Sequence, residues 1–170
     1  MSVLRQFLRP LAGTLVVTAL YAGIAVLIGM TSETASRAAT TERVVTDRLT
    51  GLAIYGFDPV AYFTEREPRQ GSATYELSWA GATWRFLNEG NRDAFMQDPE
   101  TYEPRYGGHD PVAIGAGVPT AGHPSVWVVH EQRLYVFHSE KNKAAFLADP
   151  SRALDRAEMH WPAVKAQLIP

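Results

Sequence analysis

The chain has no cysteine among its 170 residues. This absence excludes a disulfide-stabilised scaffold, a thiolate zinc or iron–sulfur site and a cysteine nucleophile. Net charge is also scarce, because 16 Lys and Arg stand against 18 Asp and Glu. A nucleic-acid partner is therefore not expected. A glycine-rich phosphate loop and a His-x3-His spacing are missing as well, so the sequence indicates location and fold rather than a defined reaction.

The first 30 residues are predicted to form an N-terminal signal or transmembrane anchor. Arg5 and Arg9 precede residues 11–30, which carry no formal charge. Twenty helical residues span about 30 Å, the thickness of the hydrocarbon core of a bilayer. Arginines before the segment favour an N-terminus that stays in the cytoplasm. We therefore expect a protein of the inner membrane whose folded part faces the periplasm, held to the membrane by this helix.

The alternative is a secretory signal that is removed, leaving a secreted soluble protein. Residues 36–39, Ser-Arg-Ala-Ala, offer a small-residue cleavage site, although a poor one. Residues 31–48 are rich in Ser, Thr, Ala and Arg and are predicted to be a flexible linker. The predicted folded part, residues 49–170, has a net charge of -4, which disfavours binding to nucleic acid or to anionic lipid. The sequence identifies no protein partner.

Comparison of the folded part with itself indicates an internal repeat. The residues Asp-Pro-Val-Ala at 58–61 recur at 110–113, and each copy follows a Tyr-Gly pair. Downstream, six positions recur at a constant offset of 51 residues. The first-copy members are Trp84, Phe86, Asn91, Phe95, Asp98 and Pro99, and their counterparts are Tyr135, Phe137, Asn142, Phe146, Asp149 and Pro150.

Each copy is predicted to be a β-hairpin followed by a helix. In the first copy, large apolar residues alternate with smaller or polar ones over residues 75–79, Ala80-Gly81 forms the turn, and residues 83–86 form the returning strand. In the second copy, the outgoing strand is residues 126–129, the turn is Glu131-Gln132 and the returning strand is residues 134–137. Asn88 and Ser139 are the expected helix caps, and each helix is expected to end at Asp-Pro. The predicted fold is α+β, with two repeated hairpin-plus-helix units at about 52–102 and 103–150. A helical tail at 151–170 is expected to break or restart at Pro162.

This pattern resembles the YHS domain, and residues 56–63 are most similar to the exported YHS domain-containing proteins of proteobacteria. The namesake triplet is nearly present at residues 137–139, Phe-His-Ser, and the resemblance covers about residues 52–161. It implies a small metal-binding module whose ligands are cysteines after Asp-Pro-Val and in a Cys-x3-Cys run. Those positions fall here on Ala61, Leu87 and Asn91 in the first copy and on Ala113, His138 and Asn142 in the second.

Of these six positions, only His138 carries a side chain suited to a transition metal. The exported relatives also tend to have a cysteine where this chain has Asp110. The residues His109, Asp110 and His138 are the candidate metal set, for Cu or Zn, because the loop with the first two is expected to approach the start of the second helix. In the alternative interpretation His138 only packs or donates hydrogen bonds, and Asp110 is a turn residue.

A second kind of site is a pocket for a planar or apolar ligand. Its candidate residues are Tyr55, Tyr62, Trp84 and Tyr106, and the glycine-rich segment 106–123 is the expected edge of a binding surface. No catalytic residue is proposed, so an enzymatic role is left open and not favoured. The leading hypothesis is a YHS-like binding module with a link to transition-metal handling. The alternatives are a structural or partner-binding domain that has lost the metal site, and a small-molecule pocket protein.

Overall fold

The computed structural model describes residues 42–169. The predicted membrane helix and the first part of the predicted linker lie outside the described residues. Within 42–169 the fold is α+β, with four strands in two hairpins, six helices and two short 3-10 turns. The turns span Ile54–Gly56 and Arg105–Gly108; the other elements are α1 (Ala61–Thr64), β1 (Ser72–Trp79), β2 (Ala82–Phe86), α2 (Glu89–Gln97), α3 (Pro99–Tyr102), α4 (Pro111–Ile114), β3 (His123–His130), β4 (Arg133–Phe137), α5 (Glu140–Ala148) and α6 (Pro150–Gln167).

Both predicted hairpins are confirmed. Strands β1 and β2 pair antiparallel through Ala80-Gly81, and β3 and β4 pair through Glu131-Gln132. All four turn residues have positive φ, the pattern of a two-residue turn whose twist matches the strands. Each long strand also has one irregularity, between Ser72 and Glu76 in β1 and between His123 and Trp127 in β3.

The predicted caps are confirmed as well. The side chain of Asn88 accepts from the backbone N–H of Asn91, and that of Ser139 accepts from the N–H of Asn142. Asp98 and Asp149 follow the ends of α2 and α5, as predicted, and they also cap the next helices. Their carboxylates accept backbone N–H groups in the first turn of α3 and α6. The first residue of each helix is a proline, which has no N–H and so needs no acceptor.

The prediction of a break at Pro162 is wrong, because α6 runs through it from Pro150 to Gln167. Proline removes one N–H from the helix ladder, and its ring crowds the carbonyl one turn earlier. The turns on both sides are held by packing, since Ala157, Val164 and Leu168 are all buried in one apolar cluster.

The second hairpin lies between two apolar clusters. Leu134 and Val136 belong to the first cluster, together with Trp84 and Phe86 of β2, while Tyr135 and Phe137 belong to the second. Alternate residues of a strand point to opposite faces, so β4 is covered on both sides. Helix α6 covers the second cluster, and the first hairpin covers the first cluster.

The folded part begins earlier than the predicted boundary at residue 49. Val45 is fully buried, and its N–H donates to the carbonyl of Gly107 at 2.8 Å. The N–H of Arg43 donates to the carbonyl of Ile169, and that of Ile54 donates to the carbonyl of Val45. Residues 42–48 are therefore part of the domain and not of a flexible linker. The segment is mostly polar, so the sequence does not single out its one apolar pair, Val44-Val45, both of which are buried in the structure.

Across residues 42–169 we find no helix long and apolar enough to cross a membrane. The predicted span, residues 11–30, lies outside this part of the chain.

Candidate functional site

The first Asp-Pro-Val-Ala motif forms a closed hydrogen-bonded unit around Asp58. One carboxylate oxygen, Oδ1, accepts the N–H groups of Val60 and Ala61 at 2.8 and 3.3 Å. The other, Oδ2, accepts the N–H of Leu87 at 2.7 Å and the side-chain amide of Asn91 at 2.6 Å. The carboxylate therefore ties the loop before α1 to the first turn of α2. We call this arrangement the first clasp.

Asp110 forms a second clasp with the same four kinds of donor. Its Oδ1 accepts the N–H groups of Val112 and Ala113 at 2.8 and 3.2 Å. Its Oδ2 accepts the N–H of His138 and the side-chain amide of Asn142, both at 2.7 Å. The loop before α4 is thereby tied to the first turn of α5. Asp110 and Asp58 are both fully buried.

Each clasp satisfies a buried charge with hydrogen bonds rather than with a cation. A carboxylate without water is stable in a protein only if its oxygens are paired, and four N–H donors fill the usual capacity of the two oxygens. The predicted approach of the Asp110 loop to the start of the second helix is confirmed. The contact is made through the backbone of His138, not through its imidazole ring.

The three candidate metal ligands point to different partners. His109 is fully buried, and its Nε2 lies 2.9 Å from the carbonyl oxygen of Glu42. Its ring centre lies 6.1 Å from that of Trp161, and burial lowers the pKa of His109. The ring of His138 is exposed, and its Nδ1 lies 3.2 Å from the carbonyl oxygen of Ala121.

This donor set does not fit a transition-metal ion as placed. Both oxygens of Asp110 are taken by N–H donors, and one nitrogen of each histidine faces a backbone carbonyl. Among residues 42–169 no three His, Asp or Glu side chains are grouped so as to hold a metal. The metal site at His109, Asp110 and His138 stays a prediction, and the hydrogen bonds favour the alternative interpretation of these residues.

Three of the four pocket candidates are buried core residues, and the least buried of the three, Tyr106, is 4% exposed. Tyr62 and Trp84 are each 1% exposed. The hydroxyl of Tyr62 donates to the backbone carbonyl of Pro124 at 2.9 Å. The indole N–H of Trp84 donates to the backbone carbonyl of Trp79 at 3.1 Å. Burial raises the pKa of Tyr62 well above its usual value. Tyr55 is 38% exposed and lies in the first 3-10 turn, with φ of 57°.

The fourth candidate, Tyr106, borders a cleft of about 500 Å³. We call it the Tyr106 cleft. Its lining includes four cations, two carboxylates and two aromatic rings: Arg43, Arg105, Arg133, Lys165, Glu100, Glu103, Tyr106 and Trp161. The Tyr106 hydroxyl donates to Glu158 at 2.9 Å, and its ring meets that of Trp161 edge-on at 5.5 Å. The guanidinium of Arg105 lies over the Tyr106 ring at 5.5 Å from its centre. Tyr106 is thus fixed on three sides, and burial raises its pKa.

The end of the cleft near Tyr106 depends on a close backbone approach. The carbonyl of Gly107 accepts from Val45, and Gly107 has φ of 63°. A Cβ at this position would lie 1.8 Å from the carbonyl oxygen of Arg43. Only glycine permits this approach, which brings the segment with Arg43 to the cleft.

Some of these features could be expected from the sequence. Tyr106 was a pocket candidate, but the cations around it are far apart in the chain and are brought together only by the fold. The segment 106–123 was expected to be a loop at the edge of a surface. It instead contains α4, and most of it is buried, including His109, Asp110 and Ile114. The signal for the clasps is the repeated Asp-Pro-Val-Ala motif, in which the sequence identifies Asp110 only as a candidate metal ligand or, alternatively, a turn residue.

Comparison of the chain with protein-family models, with curated proteins and with solved structures finds no match.

Proposed function

We propose that this chain is a YHS-like module of two hairpin-plus-helix units that binds its partner or ligand without a metal. Support for two related units comes from their matching details. Both hairpins turn at positive φ, break register at equivalent places and lead into helices capped by a side chain that accepts from an asparagine N–H. Each unit also contains one clasp on its Asp-Pro-Val-Ala motif.

The clasps are the observation that carries the proposal. The resemblance places three metal-ligand positions in each unit, and in the first unit these are Ala61, Leu87 and Asn91. All three donate N–H groups to the single carboxylate of Asp58. The position after Asp-Pro-Val and the two positions of the Cys-x3-Cys run thus meet at one point. The protein itself closes that point with hydrogen bonds.

The second unit supports the same interpretation. Its three positions are Ala113, His138 and Asn142, and all donate to Asp110. Of the three side chains, the imidazole of His138 alone suits a transition metal. A domain that is closed by its own N–H groups needs no ion to fold. We propose, with this, that the domain faces the periplasm on an inner-membrane anchor formed by residues 11–30, or is secreted after cleavage.

The competing function is transition-metal handling at His109, Asp110 and His138. Equilibrium dialysis distinguishes metal handling from metal-free binding. The full-length chain, in a mild detergent, is dialysed against Cu²⁺ or Zn²⁺ with a weak competing chelator. We expect less than one equivalent of metal to be retained. His138→Ala removes the exposed imidazole at the second clasp, and His160→Ala is the matched control on α6. One equivalent that is lost in His138→Ala and kept in His160→Ala would overturn the proposal.

A further inference from the structure

We propose that the Tyr106 cleft binds a small organic anion, a carboxylate with a planar apolar body. This inference rests on the proposed role as a metal-independent binding module and names a ligand class for it. A cleft of about 500 Å³ lies within the range of small-molecule sites, which is roughly 300–1,000 Å³. It is too small for a folded partner to enter.

The charge around the cleft is opposite to that of the domain. Arg43, Arg105, Arg133 and Lys165 line it, while the residues from 49 onward carry a net charge of -4. Two carboxylates, Glu100 and Glu103, also line it, so the local excess is positive. Burial raises the pKa of Glu103, so this carboxyl gains a proton more readily than an exposed glutamate does. A local positive excess concentrates small anions, whereas the acidic remainder repels large polyanions such as nucleic acid.

Among residues 42–169 only one of these four cations, Arg105, forms an ion pair within 4.0 Å, although Lys165 and Arg105 both act electrostatically on Glu103. Arg105 pairs with Glu158 at 2.7 Å. Arg43, Arg133 and Lys165 have no carboxylate within 4.0 Å among residues 42–169. Arg133 instead donates to the backbone carbonyl of Glu100. Its guanidinium keeps further N–H groups for a ligand, and a planar guanidinium matches a carboxylate through two parallel bonds.

Arg43 provides an independent observation. Its Nε is buried, and no hydrogen-bond acceptor is found for it in the described part of the chain. A buried donor without an acceptor costs about 1–3 kcal/mol. Because Nε is buried, it can meet a carboxylate in the cleft only through a rotation of the Arg43 side chain, and such a contact would remove this cost. The backbone around Arg43 is fixed, since its N–H donates to Ile169 and its carbonyl lies against Gly107.

The aromatic pair favours an organic anion over inorganic phosphate. Trp161 is half-buried beside Tyr106, and both line the cleft. Tyr106 cannot swing away easily, because its hydroxyl is held by Glu158. Because Tyr106 is only 4% exposed, the half-buried ring of Trp161 offers the accessible aromatic surface beside the cations. That surface suits a ligand with a planar body and a charged head, since burying apolar area adds to charge-assisted hydrogen bonds.

The test is calorimetric titration of the full-length chain with benzoate, acetate and inorganic phosphate. We expect saturable binding of benzoate, with acetate and phosphate weaker by about tenfold or more, because they lack the planar apolar group. Quenching of tryptophan fluorescence by benzoate is expected to disappear in Trp161→Phe. Circular dichroism checks that each variant is folded.

The charge requirement is tested with Arg133→Gln, and with Arg43→Gln as a second variant if the first does not fold. Each is expected to weaken benzoate binding at least tenfold, because each removes a guanidinium from the cleft. Lys141→Gln is the matched control, since Lys141 is exposed on α5 and does not line the cleft. The inference is overturned if benzoate does not saturate, if phosphate binds as tightly, or if Arg133→Gln and Lys141→Gln bind equally. Metal dialysis tests the proposed function separately from these outcomes.

Discussion

The hydrogen bonds of the second clasp allow the loss in free energy of unfolding to be predicted for Asp110→Asn. Asparagine has nearly the same shape as aspartate, so the substitution keeps the packing, removes the carboxylate charge and alters the hydrogen bonds. The amide oxygen can still accept from Val112 and Ala113, which lie at 2.8 and 3.2 Å from Oδ1. The new NH₂ group then faces two donors, the N–H of His138 and the amide of Asn142, both at 2.7 Å from Oδ2.

The size of the effect follows from these four contacts. The amide of Asn142 can rotate and present its oxygen, but the backbone N–H of His138 cannot. A donor left without an acceptor costs about 1–3 kcal/mol, and hydrogen bonds to a charged acceptor are worth more than those to a neutral one. We therefore expect a loss of about 3 kcal/mol in the free energy of unfolding, which is large against a typical total of about 5–15 kcal/mol.

The assay is denaturant unfolding of the full-length chain, followed by tryptophan fluorescence. Asp58→Asn changes the first clasp in the same way and is expected to have a similar effect. Asp155→Asn is the control, because Asp155 is exposed on α6 and a substitution at such a surface position is usually worth less than about 0.5 kcal/mol. If Asp110→Asn unfolds within 0.5 kcal/mol of Asp155→Asn, the clasp does not hold the fold.

Two further predictions concern the cleft and pH. Gly107→Ala places a Cβ 1.8 Å from the carbonyl oxygen of Arg43 at a position with φ of 63°, so we expect a loss of at least about 2 kcal/mol; the equivalent change at Gly51, which has open space, is the control for positive φ alone. Burial lowers the pKa of His109 below 6.5, so its contribution to stability is complete above pH 6.5 and is lost as the pH falls from there through its folded pKa. Unfolding of the wild type and of His109→Gln between pH 7.5 and 5.5 measures this loss, and equal slopes in the two proteins would exclude His109 as the cause.

Local structure could be predicted from the sequence where a residue's own chemistry decides it. The hairpin turns, the caps Asn88 and Ser139, and the α+β class follow from patterns that depend on neighbouring residues. The break at Pro162 was not observed, because packing of Val164 and Leu168 outweighs the loss of one N–H. The start of the domain was misplaced for a related reason. The segment with Val44 and Val45 is held in place by Gly107, distant in the chain, whose carbonyl accepts the N–H of Val45.

The candidate site could be predicted only in part. The motif around Asp110 was recognised, and its approach to His138 was expected, but which atoms meet depends on the backbone. The N–H of His138 faces the carboxylate while its ring turns to Ala121. The Tyr106 cleft gathers Arg43, Arg133 and Lys165 from segments more than 30 residues apart, and no local pattern links them.

The proposed function requires that protein N–H groups, without a metal, close the two Asp-Pro-Val-Ala sites. The most direct test is thermal unfolding of the full-length chain with a strong chelator and again with an excess of Cu²⁺ or Zn²⁺. A ligand that binds the folded state at about 100 times its Kd stabilises it by about 2.7 kcal/mol. We expect the same Tm with the chelator, with Cu²⁺ and with Zn²⁺. A Tm that falls in chelator and is restored by one metal, in the wild type and not in His138→Ala, would contradict it.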